Sequence, residues 1–147
     1  MTRGRPEYDV LDHTADAGVV VRALDEKTLF ERAAAAMFDL MVDVDRVAAD
    51  LGRGAIEREI EVDAVDREAL LVAWLGELLS VAMAGGYVFG EFDVRRLEET
   101  SLSATVRGCP LDPHRHGFRT ELKAVTYHAL SITRNDRVWT ARVIFDV

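Results

Sequence analysis

The sequence has 147 residues, a length typical of one domain, so we predict a single domain over 1–147. Hydrophobic residues make up 49% and charged residues 30%, a balance that allows a packed core without a metal or a disulfide. The formal net charge is −8, from 26 acidic and 18 basic residues. This charge disfavours direct binding to nucleic acid, because the surface as a whole repels phosphate backbones.

Signals for cellular compartment are few. The one cysteine, Cys109, excludes an internal disulfide and favours the reducing cytoplasm. Residues 1–6 carry two positive charges, but no apolar segment follows them, so we expect no signal peptide there. No apolar run approaches the length of a membrane span, and we therefore expect no membrane association.

The first part of the chain predicts two strands followed by a helix. The strands cover 8–11 and 19–24, and the helix covers 25–42. Asp25 and Glu26 place negative charge at the start of this helix, where the helix dipole favours it. Its apolar stripe has helical spacing and consists of Leu29, Phe30, Ala33, Met37, Leu40 and Met41.

The middle of the chain predicts a polar connection, a strand and a second helix. The connection covers 43–54, and the alternation of isoleucine and valine with glutamate over 56–62 indicates a half-exposed strand. Asp66 is a good N-cap for the second helix, which ends at Gly85-Gly86. Its apolar stripe is wide, so we expect it to be central: Leu70, Leu71, Trp74, Leu75, Leu78, Leu79 and Ala82.

Hairpins dominate the second half. Four strands are predicted there, at 87–97, 102–107, 121–132 and 138–147, with a loop over 108–119. Asn135-Asp136 is a turn signal between the last two strands. The whole pattern predicts an α+β fold, in which an antiparallel or mixed β-sheet is covered by two α-helices.

A polar cluster near the start of the chain contains Asp12, His13, Thr14 and Asp16. Its aspartate and threonine side chains can cap backbone amides in a turn, and spacing alone favours this interpretation. Alternatively, the two carboxylates bind a hard cation such as Ca²⁺ or Mg²⁺ through oxygen.

A second acidic group closes the sequence, where Asp146 supplies one carboxylate and Val147 supplies a free α-carboxylate if the chain ends there. Two adjacent carboxylates repel each other. Either plain solvation or a bound divalent cation relieves that repulsion, and the sequence alone favours solvation.

The segment Glu121-Leu-Lys-Ala-Val-Thr-Tyr-His128 carries a third polar group. Strand alternation places Lys123 on one face and Thr126 and His128 on the other. Lysine and threonine are ordinary on a solvent-facing strand, while histidine suits proton transfer or phosphate contact. No nucleophile with a neighbouring base is apparent, so catalysis does not follow from these residues.

The loop residues His114 and His116, together with Cys109, raise the question of a transition metal. Their spacing fits no zinc motif, and there is only one cysteine, so a zinc site is disfavoured. No glycine-rich phosphate loop is present.

Taken together, these blocks resemble the archease family over nearly the whole chain. The resembling segments are 12–18 (DHTADAG), 66–79, 108–116, 123–128 (KAVTYH) and 139–147 (WTARVIFDV). The two terminal blocks and the KAVTYH block are specific in combination. The chain departs from the family's frequent Gly-Glu pair at Gly108-Cys109.

The resemblance implies a non-catalytic accessory protein that activates an RtcB-type RNA ligase in tRNA splicing or RNA repair. Such proteins promote GTP-dependent guanylylation of the ligase's active-site histidine and restore multiple turnover. The resemblance also implies a divalent cation, foremost Ca²⁺ with Mg²⁺ or Mn²⁺ as alternatives, held by Asp16, Asp146 and Val147. No organic cofactor is implied, and GTP and RNA are reached only through the ligase.

We further expect a group of polar residues near that cation site to approach the partner's active site. The group consists of Asp12, His13, Thr14, Lys123, Thr126 and His128.

Two other functions stay open at this stage. A small metal-dependent phosphoesterase would use Asp12, Asp16 and His128 and would hydrolyse a phosphoester alone with added Mg²⁺ or Mn²⁺. A chaperone-like interaction module would need no metal, and Asp16→Ala would leave its activity intact.

Overall fold

Residues 7–12, 16–52 and 55–147 are described by the computed structural model, Leu11 and Asp12 by their backbone alone. These ranges contain the following elements in chain order: β1 (Asp9–Asp12), β2 (Asp16–Ala23), α1 (Glu26–Met41), α2 (Val44–Ala49), β3 (Ile56–Asp63), α3 (Arg67–Gly85), β4 (Tyr87–Leu97), β5 (Ser101–Pro110), β6 (Ala124–Val125), β7 (Ser131–Asn135) and β8 (Val138–Asp146).

The strands form two antiparallel sheets where the sequence predicted one. The five-stranded sheet has the order β1-β2-β8-β6, and β7 also pairs with β8. The three-stranded sheet has the order β3-β5-β4. Every strand pair within the described ranges is antiparallel, so the predicted α+β class is confirmed.

The first predicted helix is confirmed as α1. The Asp25 side chain accepts a hydrogen bond from the Thr28 amide at 2.8 Å, which satisfies one of the free N–H groups at the helix start. One face of the helix is buried, and the Phe38 ring contacts the rings of Phe89 and Phe92 on β4. The helix therefore closes the core over the three-stranded sheet.

The second predicted helix is confirmed as α3. Asp66 accepts from the Ala69 amide at 2.8 Å, and Gly86 ends the helix with a φ of 68° that favours glycine. The long helices α1 and α3 each contact strands of both sheets, so they form the layer between them. The Trp74 indole on α3 donates to the Phe30 carbonyl on α1 at 3.0 Å and links the two helices.

By length and composition alone, α3 is long and apolar enough to cross a membrane. This corrects the expectation that no apolar run approaches the length of a membrane span. Leu70, Leu71, Leu75 and Leu78 on this helix are buried inside the protein. A central core helix that contacts two sheets has the same composition, because apolar neighbours surround it on several sides.

A short helix, α2, lies inside the predicted connection 43–54. The Asp43 side chain caps it by accepting from the Asp45 amide at 3.1 Å. Only Val44 and Val47 are buried among its residues. Two apolar positions are too few to reveal a helical period, which explains why the sequence did not predict this element.

The predicted strand 121–132 is wrong, because a turn divides it into β6 and β7. The Leu130 amide donates to the Tyr127 carbonyl at 3.3 Å, and Ala129 has a φ of 52°. A positive φ at the third position of such a turn bends the chain sharply. Tyr127 and His128 therefore lie in an exposed turn instead of on opposite faces of a strand.

Candidate functional site

The ends of β2 and β8 bring two of the predicted carboxylates together. Asp16 is the direct partner of Asp146 in the antiparallel register, and Ala124 of β6 pairs with Asp146 from the other side. Residues paired in this way have side chains on the same face, with Cβ atoms about 4.5–5.5 Å apart. Asp16 is half-buried and Asp146 is exposed, so the pair lies at an accessible end of the sheet.

Two like charges directly opposite each other destabilise a sheet unless something compensates them. Oxygen-rich acidic groups of this kind are the ligands that Ca²⁺ and Mg²⁺ prefer. Val147 follows Asp146 directly and is exposed, so its backbone oxygens lie beside the same pair. The donor set formed by Asp16, Asp146 and Val147 therefore fits a hard divalent cation.

The backbone of Lys123 lies next to this acidic pair. Its amide donates to the Asp146 carbonyl at 2.8 Å. Its exposed side chain lines a cleft with Gly76 and Ser80 of α3. Lys123 thus adds a positive charge at the edge of the sheet, on the side where α3 lies.

Thr126 holds the segment after β6 against β8. Its amide and its hydroxyl both donate to the Ile144 carbonyl, each at 3.0 Å, and the hydroxyl accepts from the His128 amide at 3.2 Å. These bonds give Thr126 a structural role in shaping the turn. The turn presents His128 to solvent, where it can meet another molecule.

The structure describes only one of the other site residues predicted near the start of the chain. The backbone of Asp12 pairs with Ala17 in the β1–β2 register, one position from Asp16. His13 and Thr14 lie outside the described residues.

A second polar cluster joins Asp50, Cys109 and His116, which the sequence did not group together. Their donor atoms all lie within 4.8 Å of one another. The His116 Nε2 atom lies 2.9 Å from Asp50 Oδ2 and 3.7 Å from Cys109 Sγ. Cys109 and His116 are buried, and with Asp50 they line an open cavity of about 790 Å³.

Hydrogen bonding fixes the proton of the His116 ring. The Asp112 amide donates to Nδ1 at 3.1 Å, so the neutral ring carries its proton on Nε2 and donates to Asp50. That bond holds the pKa of the Asp50 carboxyl below its usual value, with further attraction from the Arg115 guanidinium. Burial raises the pKa of the Cys109 thiol, and the Asp50 carboxylate adds to the rise.

The signal that could have revealed this cluster was weak. The sequence pointed to Cys109 and His116, but their spacing matched no metal motif. Asp50 lies at the end of α2, the helix that periodicity could not predict. The cluster depends on α2 to bring Asp50 to β5 and the following loop.

Comparison with known proteins agrees with this architecture. The profile of the archease protein family (MTH1598/TM1083) matches residues 8–147. The archease of Methanosarcina mazei is 36% identical over 145 residues, covering 96% of both chains. The archease of Methanopyrus kandleri is 37% identical over 143 residues, covering 95% of this chain and 99% of that one.

Solved structures show the same fold. The solution structure of protein 1598 from Methanobacterium thermoautotrophicum has a TM-score of 0.74 and 34% identity, covering 95% of this chain and 98% of that one. The crystal structure of a Thermotoga maritima archease, described as a possible chaperone, has a TM-score of 0.59, 20% identity and coverage of 93% and 94%.

The molecule is therefore an α+β protein whose two antiparallel sheets enclose two long helices and whose first and last long strands meet at an acidic end. The chain belongs to the archease family.

Proposed function

We propose that this chain is a non-catalytic accessory protein that activates an RtcB-type RNA ligase. In this role it promotes guanylylation of the ligase's active-site histidine by GTP and restores multiple turnover in tRNA splicing or RNA repair. Membership of the archease family supports the proposal. The observation that carries it at the residue level is the pairing of Asp16 with Asp146, next to the backbone of Lys123.

The proposal assigns Asp16, Asp146 and Val147 as ligands of a divalent cation. Ca²⁺ fits their oxygen donors, and Mg²⁺ or Mn²⁺ are alternatives. A cation held there would supply positive charge close to the phosphates of a nucleotide bound by the partner. No organic cofactor is part of the proposal.

The chain's own residues contribute docking and positioning. The side-chain ammonium of Lys123 lies at the edge of the acidic end, and a primary ammonium is a good partner for phosphate oxygen. His128 and Thr126 define the neighbouring turn, while Asp12, His13 and Thr14 belong to the block that leads into β2. Attack of a histidine on GTP needs charge neutralised on the phosphates and on the leaving pyrophosphate, and correct positioning of these groups lowers the barrier.

The net charge of −8 favours a protein partner, and the proposal therefore has GTP and RNA bound by the ligase. The proposal also includes a cytoplasmic location for the protein and its partner.

The test is RNA ligation under multiple-turnover conditions, with GTP and the cognate ligase, in the presence and absence of this chain. We expect several turnovers per ligase only when the chain is added. Lys123→Ala and Asp146→Asn should lower the stimulation at least about tenfold, because each removes a charge at the partner-facing end. His114→Ala serves as a control, since His114 is exposed and lies outside the proposed site. Absence of any stimulation by the unaltered chain would rule the proposal out.

A chaperone-like role is the second candidate, because the Thermotoga relative is described as a possible chaperone. The exposed side chains of Met83 and Phe118 line an apolar cleft of about 240 Å³ that could receive an apolar group. This role predicts suppression of aggregation for unrelated client proteins, with no loss in Asp16→Ala. Stimulation restricted to the ligase and abolished by that substitution would exclude it.

A further inference from the structure

We propose that Asp50, Cys109 and His116 form a second metal site, selective for Zn²⁺ and related thiophilic divalent cations. It is separate from the proposed hard-cation site, which offers oxygen ligands alone. The inference does not depend on the ligase.

The donor types fit zinc. Zinc in proteins is bound by thiolate sulfur, imidazole nitrogen and carboxylate oxygen, usually with tetrahedral geometry. Bonds of the usual lengths separate neighbouring ligand atoms by roughly 3.3–3.8 Å. The observed 3.7 Å between Cys109 Sγ and His116 Nε2 lies in that range. The 2.9 Å between Nε2 and Asp50 Oδ2 needs to open by only a few tenths of an ångström.

Three separate parts of the fold deliver these donors. Asp50 caps the end of α2, Cys109 lies near the end of β5, and His116 belongs to the loop that follows. The loop is anchored by its backbone, because the Asp43 amide donates to the His116 carbonyl at 2.7 Å. The fold thus holds the three donors close together before any metal arrives, which lowers the cost of ordering them.

The neighbourhood leaves room for a fourth ligand. The cluster opens into the cavity of about 790 Å³, so water can complete a set of three protein ligands. Arg115 pairs with Asp50 Oδ1, which leaves Oδ2 directed at His116. A contact of this kind fixes the orientation of the carboxylate ligand.

Metal binding requires two proton movements. The Cys109 thiol releases its proton to solvent, because the thiolate is the ligand. The His116 ring proton moves from Nε2 to Nδ1, so that the Nε2 lone pair faces the metal. The Asp112 amide, which donates to Nδ1 in the metal-free chain, must then turn away, and Asp112 is an exposed residue whose amide can bond to water instead.

The experiment uses the untagged, reduced, metal-free protein and titrates it with Co²⁺ and then Zn²⁺. A thiolate bound to Co²⁺ gives a charge-transfer band in the near ultraviolet. Cys109 is the one cysteine in the sequence, so this band reports on this site alone. We expect the band to saturate at one Co²⁺ per chain and to disappear when Zn²⁺ displaces it.

Variants separate the site from other sources of binding. Asp50→Asn and His116→Gln should each weaken Zn²⁺ binding by more than the ~10–100-fold loss typical of an outer-shell partner. His114→Ala, an exposed histidine of the same loop, and Asp16→Asn, in the other proposed site, should leave the band unchanged. Asp50→Asn replaces a partly exposed side chain conservatively, so it remains informative if His116→Gln does not fold. The proposal is overturned if the unaltered chain gives no band at saturating Co²⁺, or if Asp50→Asn retains full Zn²⁺ affinity.

Discussion

Asp39 is a carboxylate on α1 with only 1% of its surface exposed. It accepts a hydrogen bond from the Tyr8 hydroxyl at 2.6 Å and another from the Val44 amide at 3.1 Å. The Arg119 guanidinium lies 3.4 Å from the same carboxylate and also donates to the Asp39 carbonyl. One buried charge therefore links α1 to the segment before β1, to the start of α2 and to the segment before β6.

Replacing this carboxylate should be costly. We predict that Asp39→Ala lowers the free energy of unfolding by about 3 kcal/mol, because buried polar groups lose their acceptor and the arginine loses its counter-charge. Urea denaturation measures the effect. Asp9→Ala is the control, since Asp9 and Arg22 form an exposed pair whose side chains are 63% and 55% accessible. That substitution should cost less than about 1 kcal/mol, and equal losses in the two variants would contradict the prediction.

At this scale the sequence predicts residue types better than residue partners. Asp16 and Asp146 were placed together through a resemblance that spans both ends of the chain, and the strand register agrees with their proximity. The partners of Asp39 could not be predicted, because Arg119 is 80 residues away. Asp50 was missed for the same reason, since His116 lies 66 residues further on.

Among the elements, those with local signals were predicted well. The side-chain caps of Asp25 and Asp66 and the φ of 68° at Gly86 depend on neighbouring residues alone. The strand predicted at 87–97 matches the bounds of β4. The predictions failed where tertiary contacts determine the secondary structure. Helix α2 is short and packs on β4, and the turn at Ala129 contains no glycine that would indicate a turn in the sequence.

The pairing of β4 with β5 depends on close backbone approach at Gly108. A Cβ atom built there would lie 2.1 Å from the Val88 carbonyl oxygen, which belongs to the neighbouring strand and cannot move independently. We predict that Gly108→Ala destabilises the fold by about 2–3 kcal/mol, because β4 and β5 must separate locally. The midpoint of chemical denaturation measures this change.

Gly52 provides the matched control for that substitution. An added Cβ atom there meets nothing within 4 Å, so Gly52→Ala removes backbone freedom from the unfolded chain without a clash. It should change the free energy of unfolding by less than about 1 kcal/mol, towards greater stability. A Gly108→Ala variant as stable as Gly52→Ala would show that β4 and β5 adjust without cost.

The whole molecule brings distant parts of the chain together in the five-stranded sheet. β2 and β8 pair over their full lengths, from Asp16 opposite Asp146 to Ala23 opposite Trp139. This pairing separates the two long helices from solvent on one side and places the acidic end at the rim of the sheet. Such long-range pairing is invisible to local sequence patterns, and here only the resemblance to a family suggested it.

The proposed cation site makes the region around Val147 sensitive to added sequence. In a polypeptide of residues 1–147, Val147 ends in a free α-carboxylate, and a peptide extension after it converts that group into an amide, which removes one negative ligand oxygen and adds bulk beside Asp146. We predict that this extension weakens Ca²⁺ binding about tenfold or more, since affinity in such sites follows the number of charged ligands. An extension of the same composition before residue 1 is the control, because no proposed ligand lies within residues 1–6. Calorimetric titration of both forms with Ca²⁺ measures the difference, and equal affinities would remove Val147 from the ligand set while leaving Asp16 and Asp146 to be tested by substitution.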